Sequence, residues 1–400
     1  MKILHTADWH IGKKYNNTDF LPDFEFFAKQ LIDIIKTHQI NLLLVSGDVF
    51  DVYAPASSAQ RLYFELLAEL TNINTLKHII ITAGNHDSIA FLEAPKALLK
   101  DCHVEIIGEA LKPENCWMTF ESDGEKVNIA PIPFLRNSDF PTLDENASFD
   151  DFRQRNAQGL INYYRLAHEH KPTEGINIAM GHFTCITDYT IDSERDITIG
   201  NIDGTSKDQL PLFDYFALGH IHKPITASSS RNIHYSGSPY PMSFSERNDN
   251  KRVNILTIES DTVSLDYLPL KAYRSFEQIK ADNIKDIQHQ LNAFKTEFHA
   301  VQIELILSGD GATAEMHKDL SDIQNKYNDR FLDRNICIEK VSVKRIDRNS
   351  TEIRKPTFNT KFQTPLELLD SLLANEAEEY LGKENDMRNA LIEILDQKPQ

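Results

Sequence analysis

The chain is poor in cysteine: Cys102, Cys116, Cys185 and Cys337 are the four among 400 residues. None forms a Cys-x-x-Cys pair, which excludes a zinc ribbon of the usual spacing and suggests reduced, unpaired thiols. No run of eighteen apolar residues occurs and no charged start precedes an apolar segment, so neither a membrane span nor a signal peptide is expected, and the expected location is cytoplasmic. No Gly-x-x-x-x-Gly-Lys-[Ser/Thr] loop is present, so any ATP dependence has to come from another protein. Positive charge is also short. The 42 Lys and Arg face 60 Asp and Glu, a formal net charge of −18. That balance opposes a nucleic-acid substrate, because Lys and Arg neutralising phosphates supply most non-specific affinity. Basic clusters remain at Lys13-Lys14 and at Lys344-Arg345, Arg348 and Arg354-Lys355, although a solvated face is the commoner meaning of such runs. The balance predicts weak DNA binding by the isolated chain and stronger binding in a complex.

What the chain does have is a set of five short motifs: Asp8-Trp9-His10, Gly47-Asp48-Val49-Phe50-Asp51, Gly84-Asn85-His86-Asp87, Gly181-His182 and Gly219-His220-Ile221-His222. Taken singly, Asp-x-His is common by chance and Gly-Asp-x-x-Asp is common in turns. Gly-Asn-His-Asp after an apolar strand is more informative, since a turn rarely needs all three polar residues. Each motif closes a segment that reads as a buried strand: 2–7, 41–46, 79–82, 176–180 and 215–218. Between the first three, Phe24, Phe27, Leu31, Ile34 and Ile35 recur at helical spacing, as do Leu62, Leu66, Leu67 and Leu70. Strand, helix, strand, helix, strand predicts a parallel α/β layer, and ligands of such layers collect beyond the carboxyl ends of the strands. Carboxylates, an amide and imidazoles gathered on one rim suit two divalent cations acting on an anionic phosphoester.

The order Asp-x-His, 36 residues, Gly-Asp-x-x-Asp, 32 residues, Gly-Asn-His-Asp resembles the calcineurin-like metallophosphoesterases. Within them, Met1 to Gly12, Gly47 to Asp51, and Tyr235-Ser236-Gly237-Ser238-Pro239 with Ser243-Phe244 resemble the SbcD-like nucleases over about the first 270 residues. The resemblance implies that Asp8, His10, Asp48 and His222 hold one metal and Asp48, Asn85, His182 and His220 the other, with Asp48 bridging. Ligands of this kind, without thiolate, suit manganese, magnesium or iron, and the resemblance implies manganese. His86 is the candidate general acid for the departing sugar oxygen. The resemblance implies that Asp51 orients it, although a turn or capping role for Asp51 stands equally open. Asp87 reads as a brace for its loop, Cys185 as packing, and His5, His38, His168, His170, His289, His299 and His317 lack ligand spacing.

The fold class expected is α/β: a two-sheet metallophosphoesterase sandwich flanked by helices, then a small α/β capping domain and a C-terminal helical tail. The divisions are 1–270, 271–348, a polar linker at 349–363, and 364–400. Residues 252–258 and 262–265 read as strands finishing the second sheet. In the capping unit, 275–296 reads as helix, 301–307 as strand, 308–311 as a turn, 314–328 as helix and 336–343 as strand. Thr364-Pro365-Leu366-Glu367 has the form of a capping box, and Leu366, Leu369, Leu373, Leu391, Ile394 and Leu395 form an apolar stripe. Folding back on its own chain would use that stripe; the resemblance instead implies docking on an SbcC-like ATPase. It further implies a homodimer within a heterotetramer, 3′-to-5′ exonuclease action on duplex ends and endonuclease cleavage of hairpins or strands. A two-metal phosphodiesterase or phosphatase for small nucleotides is the alternative. A scaffold that has lost catalysis ranks last, since every ligand position is filled.

Overall fold

In a computed structural model that describes residues 1–15, 18–141, 149–185, 205–309, 314–331 and 335–345, strands and helices first alternate. They are β1 (Lys2–Thr6), the short β2 (Lys14–Tyr15) and β3 (Thr18–Asp19), α1 (Leu21–His38), β4 (Leu42–Ser46), α2 (Ser57–Thr71), β5 (His78–Thr82), α3 (Ile89–Glu93), α4 (Lys96–Lys100) and β6 (Val104–Ile107). Next come β7 (Met118–Ser122), β8 (Glu125–Pro131), α5 (Phe149–Glu169), β9 (Ile176–His182), β10 (Tyr215–Gly219), β11 (Ile225–Ser228), β12 (Ile233–Tyr235), β13 (Arg252–Glu259) and β14 (Thr262–Pro269). The last elements are β15 (Arg274–Ala281), α6 (Ile284–Ala293), β16 (Ala300–Gly309), α7 (Ala314–Phe331) and β17 (Ile336–Arg345).

Two six-stranded sheets form, in the orders β14-β13-β1-β4-β5-β6 and β11-β12-β10-β9-β8-β7. Successive side chains on a strand point to opposite faces, and here both faces are covered, so the inner strands are mostly apolar. Leu4, Leu43, Val45, Ile79 and Ile81 pack with Phe24, Phe27, Leu31 and Ile35 of α1 and Tyr63, Leu66 and Leu70 of α2. Their neighbours Ile3, Leu42, Leu44 and Ile80 meet Ile129, Ile178, Met180 and Ala217 of the second sheet. The outer face of that sheet packs Ala179, Phe216 and Leu218 against Leu160, Tyr164 and Ala167 of α5. The layers therefore run helix, sheet, sheet, helix.

The chain places two segments differently from their sequence pattern. β13 lies antiparallel to β1, Lys2 opposite Thr257, and β14 extends it, so this hairpin widens the first sheet rather than completing the second. Its alternation fits that position: Val253 and Ile255 join the helix-side core, while Leu256 and Ile258 join the core between sheets. Residues 274–281 form a strand, not the start of a helix; Phe276 and Ile279, spaced as in a helix, are held in β15 by parallel pairing with β16. Asn283 then caps α6, its side chain accepting from Asp286 N.

β15-β16-β17 is a third, all-parallel sheet with its own core of Ile279, Ile287, Val301, Ile303, Leu320 and Ile338. It is fastened to the sandwich by a buried ion pair, Arg274 Nη2 to Asp23 Oδ2 at 2.8 Å, and by Phe276 against Phe20 and Phe244. The expected turn at 308–311 is described only as far as Gly309, and the linker at 349–363, the tail at 364–400, and Arg348, Arg354 and Lys355 lie outside the described residues. Among the described residues, no helix is long and apolar enough to cross a membrane.

Candidate metal centre

The five motifs meet where β1, β4, β5, β9 and β10 end. Ser46 Oγ donates to Ala217 O at 3.0 Å, joining the sheets at this rim. The loop after β1 is zipped to the loop after β4 by Asp8 N to Gly47 O and His10 N to Asp48 O, each 3.0 Å. Four residues here take positive φ: Asp8 at 53°, His10 at 44°, Asp48 at 51° and His220 at 89°. Such backbone costs about 1–3 kcal/mol per residue and persists only where the surroundings enforce it. The motif glycines are close-approach positions. A Cβ on Gly84 would lie 2.0 Å from Asp48 Oδ1, and one on Gly219 would lie 1.9 Å from Ser46 O.

On this rim the side chains converge with their acceptors facing one another. His182 Nδ1 donates to Ser46 O at 2.9 Å, which aims Nε2 at Asp48 Oδ2, 3.1 Å away, and Asn85 Oδ1, 3.0 Å away. His220 Nδ1 also lies 3.1 Å from Asn85 Oδ1. On the other side, His222 Nε2 is 3.0 Å from His10 Nε2, which is 3.5 Å from Asp48 Oδ2. Asp8 accepts from His220 N at 2.8 Å through Oδ1, while its buried Oδ2 has no hydrogen-bond partner. Asp8, His10 and His222 bring ligand atoms within 4.8 Å of one another, as do Asp8, Asp48 and His182, and His10, Asp48 and His86. Imidazole nitrogens, carboxylate oxygens and an amide oxygen crowded this closely fit divalent cations, and the orphaned Asp8 oxygen is accounted for by the same assignment.

Burial lowers His10 to about 4 and, with His182 nearby, His220 to about 3, so both rings are neutral as metal ligation requires. Burial alone would lower His182 as well, but Asp48 and then Asp8 outweigh it and push the ring up to about 9. A cation at Nε2 would compete with that proton. Asp8 is pushed up to about 6, chiefly by burial. Burial would also raise Asp48, but His182, His86 and His10 together hold it well below the ordinary carboxylate range.

The catalytic candidates are arranged less simply than their spacing suggests. His86 Nδ1 donates to the main-chain carbonyl of Asp51 at 2.8 Å. The Asp51 carboxylate faces elsewhere, 3.2 Å from His10 Nδ1 and 3.0 Å from Lys13 Nζ. Asp87 accepts from the main-chain N–H of Val49, Phe50 and Gly84, bracing one loop against the other. Cys185 is buried against Tyr235 Oη. His5 is buried against the Tyr215 hydroxyl at 3.0 Å.

Two groups on the rim went unread in the sequence. Arg136 donates to Asp87 O at 2.9 Å and to the Tyr53 hydroxyl at 3.3 Å, while that hydroxyl donates to Asn85 O at 3.0 Å, so the Gly84–Asp87 loop is clamped from outside. Glu246 and Lys251, both buried, lie behind His222. Arg136 carries no spacing signal, whereas Glu246 follows shortly after the Ser243-Phe244 pair of a recognised segment.

Residues 1–224 match the calcineurin-like phosphoesterase family. The chain is similar to the SbcD component of the SbcCD nuclease of Escherichia coli strain K12, 29% identical over 301 residues, covering 74% of each chain. It is also similar to the SbcD components from Staphylococcus epidermidis, 32% identical over 292 residues, 73% of this chain and 75% of that one, and from Rhodobacter capsulatus, 33% identical over 275 residues, 64% and 66%.

Proposed function

Because this chain belongs to the calcineurin-like phosphoesterase family, and within it to the SbcD components of SbcCD nucleases, we propose that it is a metal-dependent DNA nuclease. The observation that carries the reading is the convergence of Asp8, His10, Asp48, Asn85, His182, His220 and His222 on one rim, acceptor facing acceptor. Asp8, His10, Asp48 and His222 would hold one cation, and Asp48 with Asn85, His182 and His220 would hold the other. Manganese fits this set of ligands, with magnesium and iron as competitors. Two such cations supply neutralisation of phosphate charge and activation of water. The chain's own part is to orient and to move a proton. His86, fixed through Nδ1 on the Asp51 carbonyl, keeps Nε2 to protonate the leaving 3′ oxygen, and Asp87 with Arg136 holds its loop.

The proposed substrate is DNA rather than a small nucleotide, cut 3′-to-5′ from duplex ends and endonucleolytically at hairpins or strands in DNA repair, recombination or replication; the nuclease relatives support a nucleic-acid substrate. The third sheet caps the site, residues 364–400 dock on an SbcC-like ATPase, and two copies pair within a heterotetramer. A DNA-binding partner also answers the net charge of −18. The test is a denaturing gel of end-labelled duplex, hairpin and single-stranded DNA with manganese, alone and with the ATPase and ATP. Cleavage by the wild type and none by Asp48→Ala supports the proposal. No DNA cleavage under either condition, with hydrolysis of a small phosphodiester retained, overturns it in favour of a small-molecule phosphodiesterase. Deleting 364–400 is expected to spare the metal centre and abolish co-purification with the ATPase; retained association overturns that assignment.

A further inference from the structure

Behind His222 the chain buries an ion pair that the chemistry above does not use. Lys251 Nζ lies 2.6 Å from Glu246 Oε2, and both residues are at most 5% exposed. Lys251 also donates to His222 O at 2.9 Å and to Ser238 Oγ at 2.8 Å. Glu246 Oε2 accepts from Met242 N at 3.3 Å, and Oε1 accepts from the Ser243 hydroxyl at 3.4 Å. Oε1 has one more partner, His222 Nδ1 at 3.1 Å. A carboxylate can only accept, so that nitrogen carries the proton and Nε2 is left to face His10.

The fold goes to some length to bring this pair in. Gly237 takes a φ of 76°, and a Cβ there would lie 2.6 Å from His222 O, so only glycine lets the Ser236–Pro239 segment close over the histidine loop. Ser238 N then bonds His222 O at 2.9 Å. A buried ion pair is weak evidence for stability, since apolar residues of similar volume commonly serve as well. One whose carboxylate fixes the tautomer of a histidine aimed at a metal site has a reason to be retained.

We infer that Glu246 is a positioning residue: with Lys251 as its counter-charge, it holds His222 in the Nδ1–H form so that the Nε2 lone pair is presented to the first cation. This role rests on the two-metal reading above. It concerns one cation of the two, because His182, on the other, is oriented by the Ser46 carbonyl instead.

The test is manganese binding by titration calorimetry and electron paramagnetic resonance on the full chain, comparing wild type, Glu246→Gln and the double substitution Glu246→Leu with Lys251→Met. The double substitution removes both charges of the pair, so neither Glu246 nor Lys251 is left as an unpaired buried ion, although Asp249, 3.6 Å from Lys251 Nζ, loses that neighbour. It is expected to weaken one of two sites by about 10–100-fold while the other holds. Glu246→Gln, which keeps an acceptor for Nδ1–H, is expected to recover most of that loss. Unchanged affinity at both sites in the folded double variant overturns the role, as does equal weakening of both. A wild-type chain that binds no manganese overturns the metal centre itself, a different failure. If the double variant does not fold, the wild type decides: nitrogen NMR of the metal-free chain, with His222 assigned through its loss in His222→Asn, is expected to show the proton on Nδ1. A proton on Nε2 overturns the inference.

Discussion

The two sides of the rim are built by different means. On one side, His182 is oriented by a main-chain carbonyl, Ser46 O, between glycines that admit no Cβ. On the other, His222 is oriented by a side-chain carboxylate that itself depends on a lysine and a loop of serines. A carbonyl at the end of a buried strand cannot be removed by substitution, only displaced, whereas a carboxylate can be deleted or tuned. The difference teaches that one rim can orient its histidines on one side through the fold and on the other through side chains.

Substitutions can break that contrast. Asp48 belongs to both sides, so Asp48→Ala is expected to abolish manganese binding at both sites and all cleavage, exceeding the roughly 10–100-fold cost of losing an outer partner. Metal analysis of the purified variant checks it. His86→Ala should leave both cations bound and slow cleavage by about 10²–10⁴-fold, the usual contribution of a general acid; a His86→Ala chain lacking metal would count against its role as acid. Gly84→Ala crowds Asp48 and its main-chain N, so a loss of about 1–3 kcal/mol from overpacking is expected, with weakened metal binding, seen by thermal melt and titration.

His5 sharpens the contrast with a buried histidine whose nearby partners, the Tyr215 hydroxyl and the Asn254 amide, are neutral. Burial and then His234 lower it from 6.5 to about 3. The unfolded chain therefore binds the extra proton between those values, and folding stability falls as pH drops from 6.5 toward 3. The share from His5 is roughly 2 kcal/mol by pH 5, and the difference in melting temperature between wild type and His5→Gln across that range should grow accordingly. A pH-independent difference would show that His5 is not the source.

How far these features are visible in sequence depends on whether they are local. The inner strands announce themselves because both faces are buried, making segments such as Leu42–Val45 apolar without a break. The glycines beside Asp48, Asn85 and His220 mark the rim because close approach demands them. Choice of partner is not local. Nothing in Arg252–Glu259 says that it pairs with Lys2–Thr6 as well as with the adjacent Thr262–Pro269, and the Phe276–Ile279 spacing suits a helix until β16 is there to pair with. The direction of the Asp51 carboxylate was equally hidden, since Lys13 and His10 capture it from another loop. Glu246 acts across a gap of 24 residues, a distance at which spacing carries no signal.

The pairing of β1 with β13 also bears on the order in which a ribosome delivers the parts. Asp8 leaves the tunnel 214 residues ahead of His222, from position 8 to position 222, and the strand that covers β1 begins only at Arg252. At about 5–20 residues per second, that is roughly 10–40 s in which the nascent chain carries half a rim and an unpaired strand edge. The early bonds from Asp8 N to Gly47 O and from His10 N to Asp48 O hold only the first half of the rim, so a chain stalled before Arg252 lacks the edge protection that β13 supplies to β1.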